Sequence, residues 1–229
     1  MMTSEQIQQL RRDEAMMMAE WSASSVQLCC FNADGIVDYE RWAALPDGKH
    51  IVVLLKETNA LRGSLVEFLS HGGSETYYRT WNNVARWANM ILNGTYWKFV
   101  PKSSLDDMVR NIAVVNLKKC PGGAIASSKA VRQAARQDAD LLKCQIQLYE
   151  PDIILTGGWG LVSNILHDEI FADDAEWIRP HEETALWYYK SSLVCTGKET
   201  LVVSMPHPNR AAKNWTLELE KVLRATGRL

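Results

Sequence analysis

Ile51-Val52-Val53-Leu54-Leu55-Lys56-Glu57-Thr58-Asn59 is a run of five apolar residues that passes directly into a polar loop. The turn signal Asp47-Gly48 precedes it. An uninterrupted apolar run of this length fits a strand buried on both faces, as in a parallel sheet. Three further runs repeat the pattern: Ile112-Ala113-Val114-Val115, Ile153-Ile154-Leu155 and Leu201-Val202-Val203-Ser204. Between and beyond them, residues 62–70, 81–92, 127–149, 161–167 and 214–225 carry helical periodicity. Strands alternating with helices predict an α/β fold: a three-layer α/β/α sandwich around a central, mainly parallel four-stranded sheet. No linker or repeat divides the chain, so one domain is expected over 1–229, with 1–45 as an amino-terminal helical extension packed on it. Ser4 can cap a helix over 5–21, although Ile7 stands where a full capping box would place an acid.

Composition narrows the function classes. The apolar runs are strand-sized, far short of the roughly 20 residues that cross a bilayer. The start, with Arg11, Arg12, Asp13 and Glu14, is unlike a secretory signal, and a cytoplasmic protein is expected. Cysteines at 29, 30, 120, 144 and 195 are odd in number, which excludes a complete disulfide framework. A formal net charge of −2 gives no global attraction to nucleic acid, so any such contact must come from a local basic face.

Glu57, Asn116 and His207 each follow closely on a predicted strand, at the edge where parallel sheets place their ligands. Together they suit cleavage of an N-glycosidic bond, whose transition state is positive on the sugar and negative on the departing base. Glu57 could stabilise the cation or position the attacking water, and His207 could donate a hydrogen bond to the base. Asn116 offers a donor and an acceptor to an extruded pyrimidine; because the amide can face either way, it does not identify the base. Singly, each has an ordinary alternative. Glu57 can pair with Lys56 or Arg62, Asn116 can be a turn-maker, and His207 can be a surface loop residue.

Four segments carry a resemblance. They are Val53 through Ala60 with Glu57; Val115-Asn116-Leu117-Lys118-Lys119-Cys120-Pro121; Leu142 through Gly158, which ends Thr156-Gly157-Gly158; and Met205-Pro206-His207-Pro208-Asn209. In content and order they resemble the uracil-DNA glycosylase superfamily, over most of residues 50–225. The resemblance implies Glu57 at the water-activating motif, Asn116 as base reader, and His207 as leaving-group residue on a loop that enters the duplex. It places Thr58 and Asn59 beside the base, and a stacking aromatic after the first loop, where Tyr78 follows Tyr77 and precedes Trp81. Lys118, Lys119, Arg210 and Lys213 flank the two loops that would face DNA and could hold phosphates, although charge runs are usually solvated surface. Trp159 and Trp81 adjoin these segments and could line a pocket.

Departures from the family pattern bear on the substrate. Lys56, Thr58, Asn59 and Ala60 replace the usual residues of the first motif, which reads Gly-Glu-x-Pro-Gly or Gly-Gln-Asp-Pro-Tyr. Cys120 matches one ligand of the iron–sulfur branch, but the fourth would fall near Asp138, and Cys29 and Cys30 are adjacent rather than spaced. No cluster, other cofactor or metal is therefore expected. The expected protein is a monomeric, monofunctional DNA glycosylase, with DNA and no membrane as partner, acting on a damaged or bulky modified pyrimidine, including hypermodified phage cytosine in antiviral defence. Uracil excision in repair and an inactive modified-DNA-binding module are the alternatives. A nucleotide-dependent enzyme ranks last, because Gly160 is too close to Gly157-Gly158 for a dinucleotide fingerprint.

Overall fold

The computed structural model describes residues 2–24, 31–61, 63–73, 78–123, 125–179 and 184–229, with backbone only at Ser24, Tyr78 and Lys102. Cys29, Cys30, Arg62, Tyr77, His181 and the side chain of Tyr78 lie outside the described residues.

The architecture is mixed α/β. The helices and strands are α1 (Ser4–Ser24), β1 (Gly35–Ile36), α2 (Tyr39–Ala44), β2 (Ile51–Leu55), α3 (Leu65–Ser70), α4 (Tyr78–Asn93), α5 (Lys102–Val109) and β3 (Ala113–Asn116). They continue with α6 (Ser128–Gln137), α7 (Ala139–Leu148), β4 (Ile153–Gly157), α8 (Gly160–Asn164), β5 (Tyr188–Cys195), β6 (Lys198–Met205) and α9 (Trp215–Ala225). A π-helical stretch, Ile165–Phe171, extends α8.

The sheet has six strands in the order β1-β3-β2-β4-β6-β5. The four expected strands are its central parallel block, β3-β2-β4-β6. The expected four-stranded sheet is corrected by an antiparallel strand at each edge, β1 on β3 and β5 on β6. Because β1 falls within residues 1–45, that region contributes to the sheet itself as well as helices packed on it.

Alternation along β2 shows why these runs fold as strands. Ile51, Val53 and Leu55 enter one core with α3, α4, α5 and α9, while Val52 and Leu54 enter the other with α1, α2, α6, α7 and α8. Both faces are apolar because both are covered.

The chain leaves β2 to form β3 on one side and later returns to form β4 on the other. The connection to β3 runs through α3–α5 on the first face, and that from β3 to β4 through α6 and α7 on the second. The two connections diverge at the carboxyl end of β2, and this opens a crevice there.

Two helix expectations are corrected locally. The helix expected over 127–149 is two helices, divided at Asp138, whose φ of −107° and ψ of 18° leave the helical basin. At the amino terminus the cap is Thr3 rather than Ser4. Thr3 Oγ1 accepts from the Gln6 backbone N–H at 3.2 Å and Gln6 Oε1 accepts from the Thr3 N–H at 2.7 Å, a capping box one residue earlier than expected.

Candidate functional site

A cleft of about 660 Å³ opens at the switch point, and Glu57, Asn116 and His207 all line it, from the ends of β2, β3 and β6. Lys56, Thr58, Asn59, Phe68, Arg79, Trp81 and Arg210 complete much of the wall.

Asn116 ends β3 and is 1% exposed. Its backbone N–H and its Nδ2 both donate to Asp34 Oδ2, at 2.7 and 3.2 Å. Its Oδ1 is buried without a hydrogen-bond partner. A buried carbonyl left open costs free energy unless something supplies a donor, so it marks a place for a ligand N–H.

Glu57 is held from two sides. Lys118 Nζ donates to its Oε2 at 2.5 Å, and the carboxylate lies against the backbone of Gly122, where an added methyl group would collide with it. The 120–123 loop is fastened there by Gly122 N–H to Thr58 O at 2.8 Å and Ala60 N–H to Gly122 O at 3.2 Å. Lys118 also donates to the Cys120 carbonyl at 3.0 Å. Lys118 is thus the carboxylate's partner in the cleft wall, in addition to flanking the loop expected to face phosphate.

His207 sits on the loop after β6, pinned from α4. Asn83 Nδ2 donates to the carbonyls of Pro208 at 2.7 Å and Ala211 at 3.1 Å. The Asn209 backbone N–H approaches His207 Nδ1 at 3.2 Å, which makes Nδ1 the acceptor and leaves the neutral ring's proton on Nε2. Burial lowers the pKa of His207 below its ordinary value, and the Lys56 and Arg210 cations lower it further. The ring is thus a neutral donor at pH 7.

Other expected residues divide. Arg210 is exposed on the cleft wall. Lys213 is exposed and stacks over Phe99 at 4.5 Å. Lys119 is corrected: it is 3% exposed, paired with Asp34 at 2.5 Å and over the Trp21 ring at 4.5 Å, and no phosphate can reach it. Thr58 is 8% exposed and its hydroxyl donates to Asn32, so it shapes the floor with its donor already engaged. Asn59 is exposed on the wall, bridged to Gly122. Trp81 lines the cleft at 4% exposure; Trp159 is outside its lining and meets the Trp215 ring edge at 4.9 Å.

Phe68, Lys56 and Asp34 were missed. Phe68 is a partly buried aromatic of α3 on the cleft wall, and its place between the first loop and α4 was a usable signal. Lys56 lines the cleft, and its side chain makes no hydrogen bond or ion pair among the described residues. Asp34 had no signal, since it precedes a two-residue strand.

A scan against protein-family models finds no match for this chain, and neither does a search of curated proteins. Among the described residues no helix is long and apolar enough to cross a membrane.

Proposed function

We propose that this chain is a monofunctional DNA glycosylase of the uracil-DNA glycosylase superfamily, which takes a flipped-out pyrimidine into the cleft and hydrolyses its N-glycosidic bond. The observation that carries the reading is the meeting of Glu57, Asn116 and His207, remote in sequence, on one cleft at the switch point of the sheet.

Each group has a place in that reaction. Asn116 accepts an N–H of the base through its open carbonyl. His207 donates from Nε2 to the base oxygen that gains negative charge, and Lys56 and Arg210 add a positive field at the same end. Glu57, fixed by Lys118, faces the sugar, where a carboxylate either steadies the cation or orients water. Phe68 and Trp81 provide apolar surface against which the base can stack. The products are the free base and an abasic site.

A bulky modified pyrimidine is the favoured substrate. Pockets of about 300–1,000 Å³ hold drug-sized ligands, and a cleft of about 660 Å³ leaves room for a substituent beyond a bare pyrimidine ring. Hypermodified phage cytosine is the proposed pyrimidine of this kind, and antiviral defence the proposed setting.

The test is to incubate the protein with phage DNA carrying hypermodified cytosine and, separately, with a uracil-containing duplex, then cleave abasic sites with alkali. Strand breaks in the modified DNA are expected. Breaks in the uracil duplex alone would assign the activity to uracil, and breaks in neither would remove the glycosylase reading.

A further inference from the structure

We infer that Asp34 is a positioning residue that locks the Asn116 amide with its carbonyl oxygen toward the ligand, so that the base must present an N–H at that point. The identity of the ligand rests on the glycosylase reading; the lock does not.

An asparagine amide can turn over with little steric consequence, because its oxygen and nitrogen ends are nearly the same size. Here only one orientation is compatible with its neighbour. Asp34 Oδ2 accepts from both the backbone N–H and Nδ2 of Asn116, and a carboxylate has no proton to offer a turned-over carbonyl. Reversal would set two acceptors against each other in a buried place.

Asp34 is itself fixed. Its other oxygen, Oδ1, accepts from Lys119 Nζ at 2.5 Å and from Gln145 Nε2 at 2.9 Å, and its side chain is fully buried. Gln145 cannot turn over either: its Oε1 accepts from Lys119 at 2.8 Å, and an ammonium can only donate. Polarity is thus set from Lys119 through Gln145 and Asp34 to Asn116. The one member left open is Asn116 Oδ1, on the cleft. This also accounts for a buried lysine so near the site: it orients the acid behind the base reader.

Asp34→Asn keeps the shape and reverses the logic. With its oxygen kept on Lys119, the amide introduced at position 34 presents a donor to Asn116. The Asn116 side chain can answer by turning its oxygen inward and its donor to the cleft, while its backbone N–H, which cannot turn, loses its acceptor, so some loss of stability accompanies the switch. The first readout needs no substrate. In protein labelled with ¹⁵N, an Asn116 side-chain N–H should be shifted and slow to exchange in the wild type and lose that protection in D34N, with melting temperatures confirming that both fold.

The second readout is excision on whichever DNA the wild type cleaves. D34N should lose roughly a hundredfold in kcat/KM, as expected when a buried polar group is mismatched to its ligand. The double variant D34N/N116D should recover part of the loss, because the carboxylate introduced at position 116 can accept from the amide at position 34 with one oxygen and show the other to the cleft. Wild-type excision by D34N, or an unprotected Asn116 amide in the wild type, would overturn the assignment. If the wild type releases no base from any DNA while the amide is protected, the lock stands and the glycosylase reading falls.

Discussion

His207 and Glu57 each have a close neighbour that determines what they can do. Asn209 occupies Nδ1 of His207, so protonation of that nitrogen breaks the contact and brings a third positive charge beside Lys56 and Arg210. The neutral ring is favoured above its lowered pKa. If the neutral ring is the working form, excision should be level from pH 8 to about pH 6.5, near the ordinary histidine value, and fall only as the pH drops below it. A pH profile of kcat/KM tests this, and a profile that rises on acidification excludes a neutral donor. At Glu57 the sensitive point is its neighbour. Gly122→Ala should displace the carboxylate and lower activity nearly as far as Glu57→Gln, by about 10²–10⁴-fold, the usual worth of a positioned acid or base, while the melting temperature changes little. Asn116 and His207 could be found in the sequence because each ends an apolar run, and strand ends are where such sheets bind. Asp34 could not: its role depends on distances to residues 116, 119 and 145 that no local pattern encodes.

Among the elements, α4 does more than cover the sheet. Its Asn83 gives both donors of one amide to the His207 loop and receives Arg86 Nη1 on its oxygen at 2.8 Å, while Arg86 Nε reaches the Trp97 carbonyl. Asn83→Ala leaves two loop carbonyls and a buried guanidinium short of partners. It should cost about 1–3 kcal/mol by the usual scale for such groups and reduce excision, both measurable by denaturant unfolding and single-turnover rates. A stability loss with unchanged excision would show that the loop holds its shape without this anchor. Strand β5 escaped detection because its edge position leaves Lys190 and residues 192 and 193 exposed, which interrupts the apolar run. The two-residue turn Thr196-Gly197, with Gly197 at φ +80°, was the available hairpin signal. The break at Asp138 carries no proline or glycine and is not visible as a pattern.

Across the whole molecule, α1 is tied to the sheet by a buried acid. Glu14 accepts from the hydroxyls of Tyr39 and Tyr149 and from the Ile36 N–H, and burial raises its pKa from 4.5 to about 7. Because the folded form holds the proton more tightly, this group's favourable contribution is complete below about pH 4.5. It is lost as the pH rises to about 7 and does not change above that. At about 1.4 kcal/mol per unit of pKa, the loss is on the order of 3 kcal/mol. Melting curves at pH 5.5 and 8 should therefore differ less in Glu14→Gln than in the wild type, with the variant gaining most at pH 8. An equal pH dependence in both proteins would show that Glu14 is not the group responsible. The sequence by itself determined the α/β class, the central parallel strands and the strand-end residues, because burial on two faces and helical periodicity are local signals. Tertiary structure alone decided the edge strands, the cleft, the pairing of Glu57 with Lys118 and the direction of the Asn116 amide. Each of these is a contact between segments remote in sequence, and its polarity depends on which partner the fold brings within hydrogen-bonding distance.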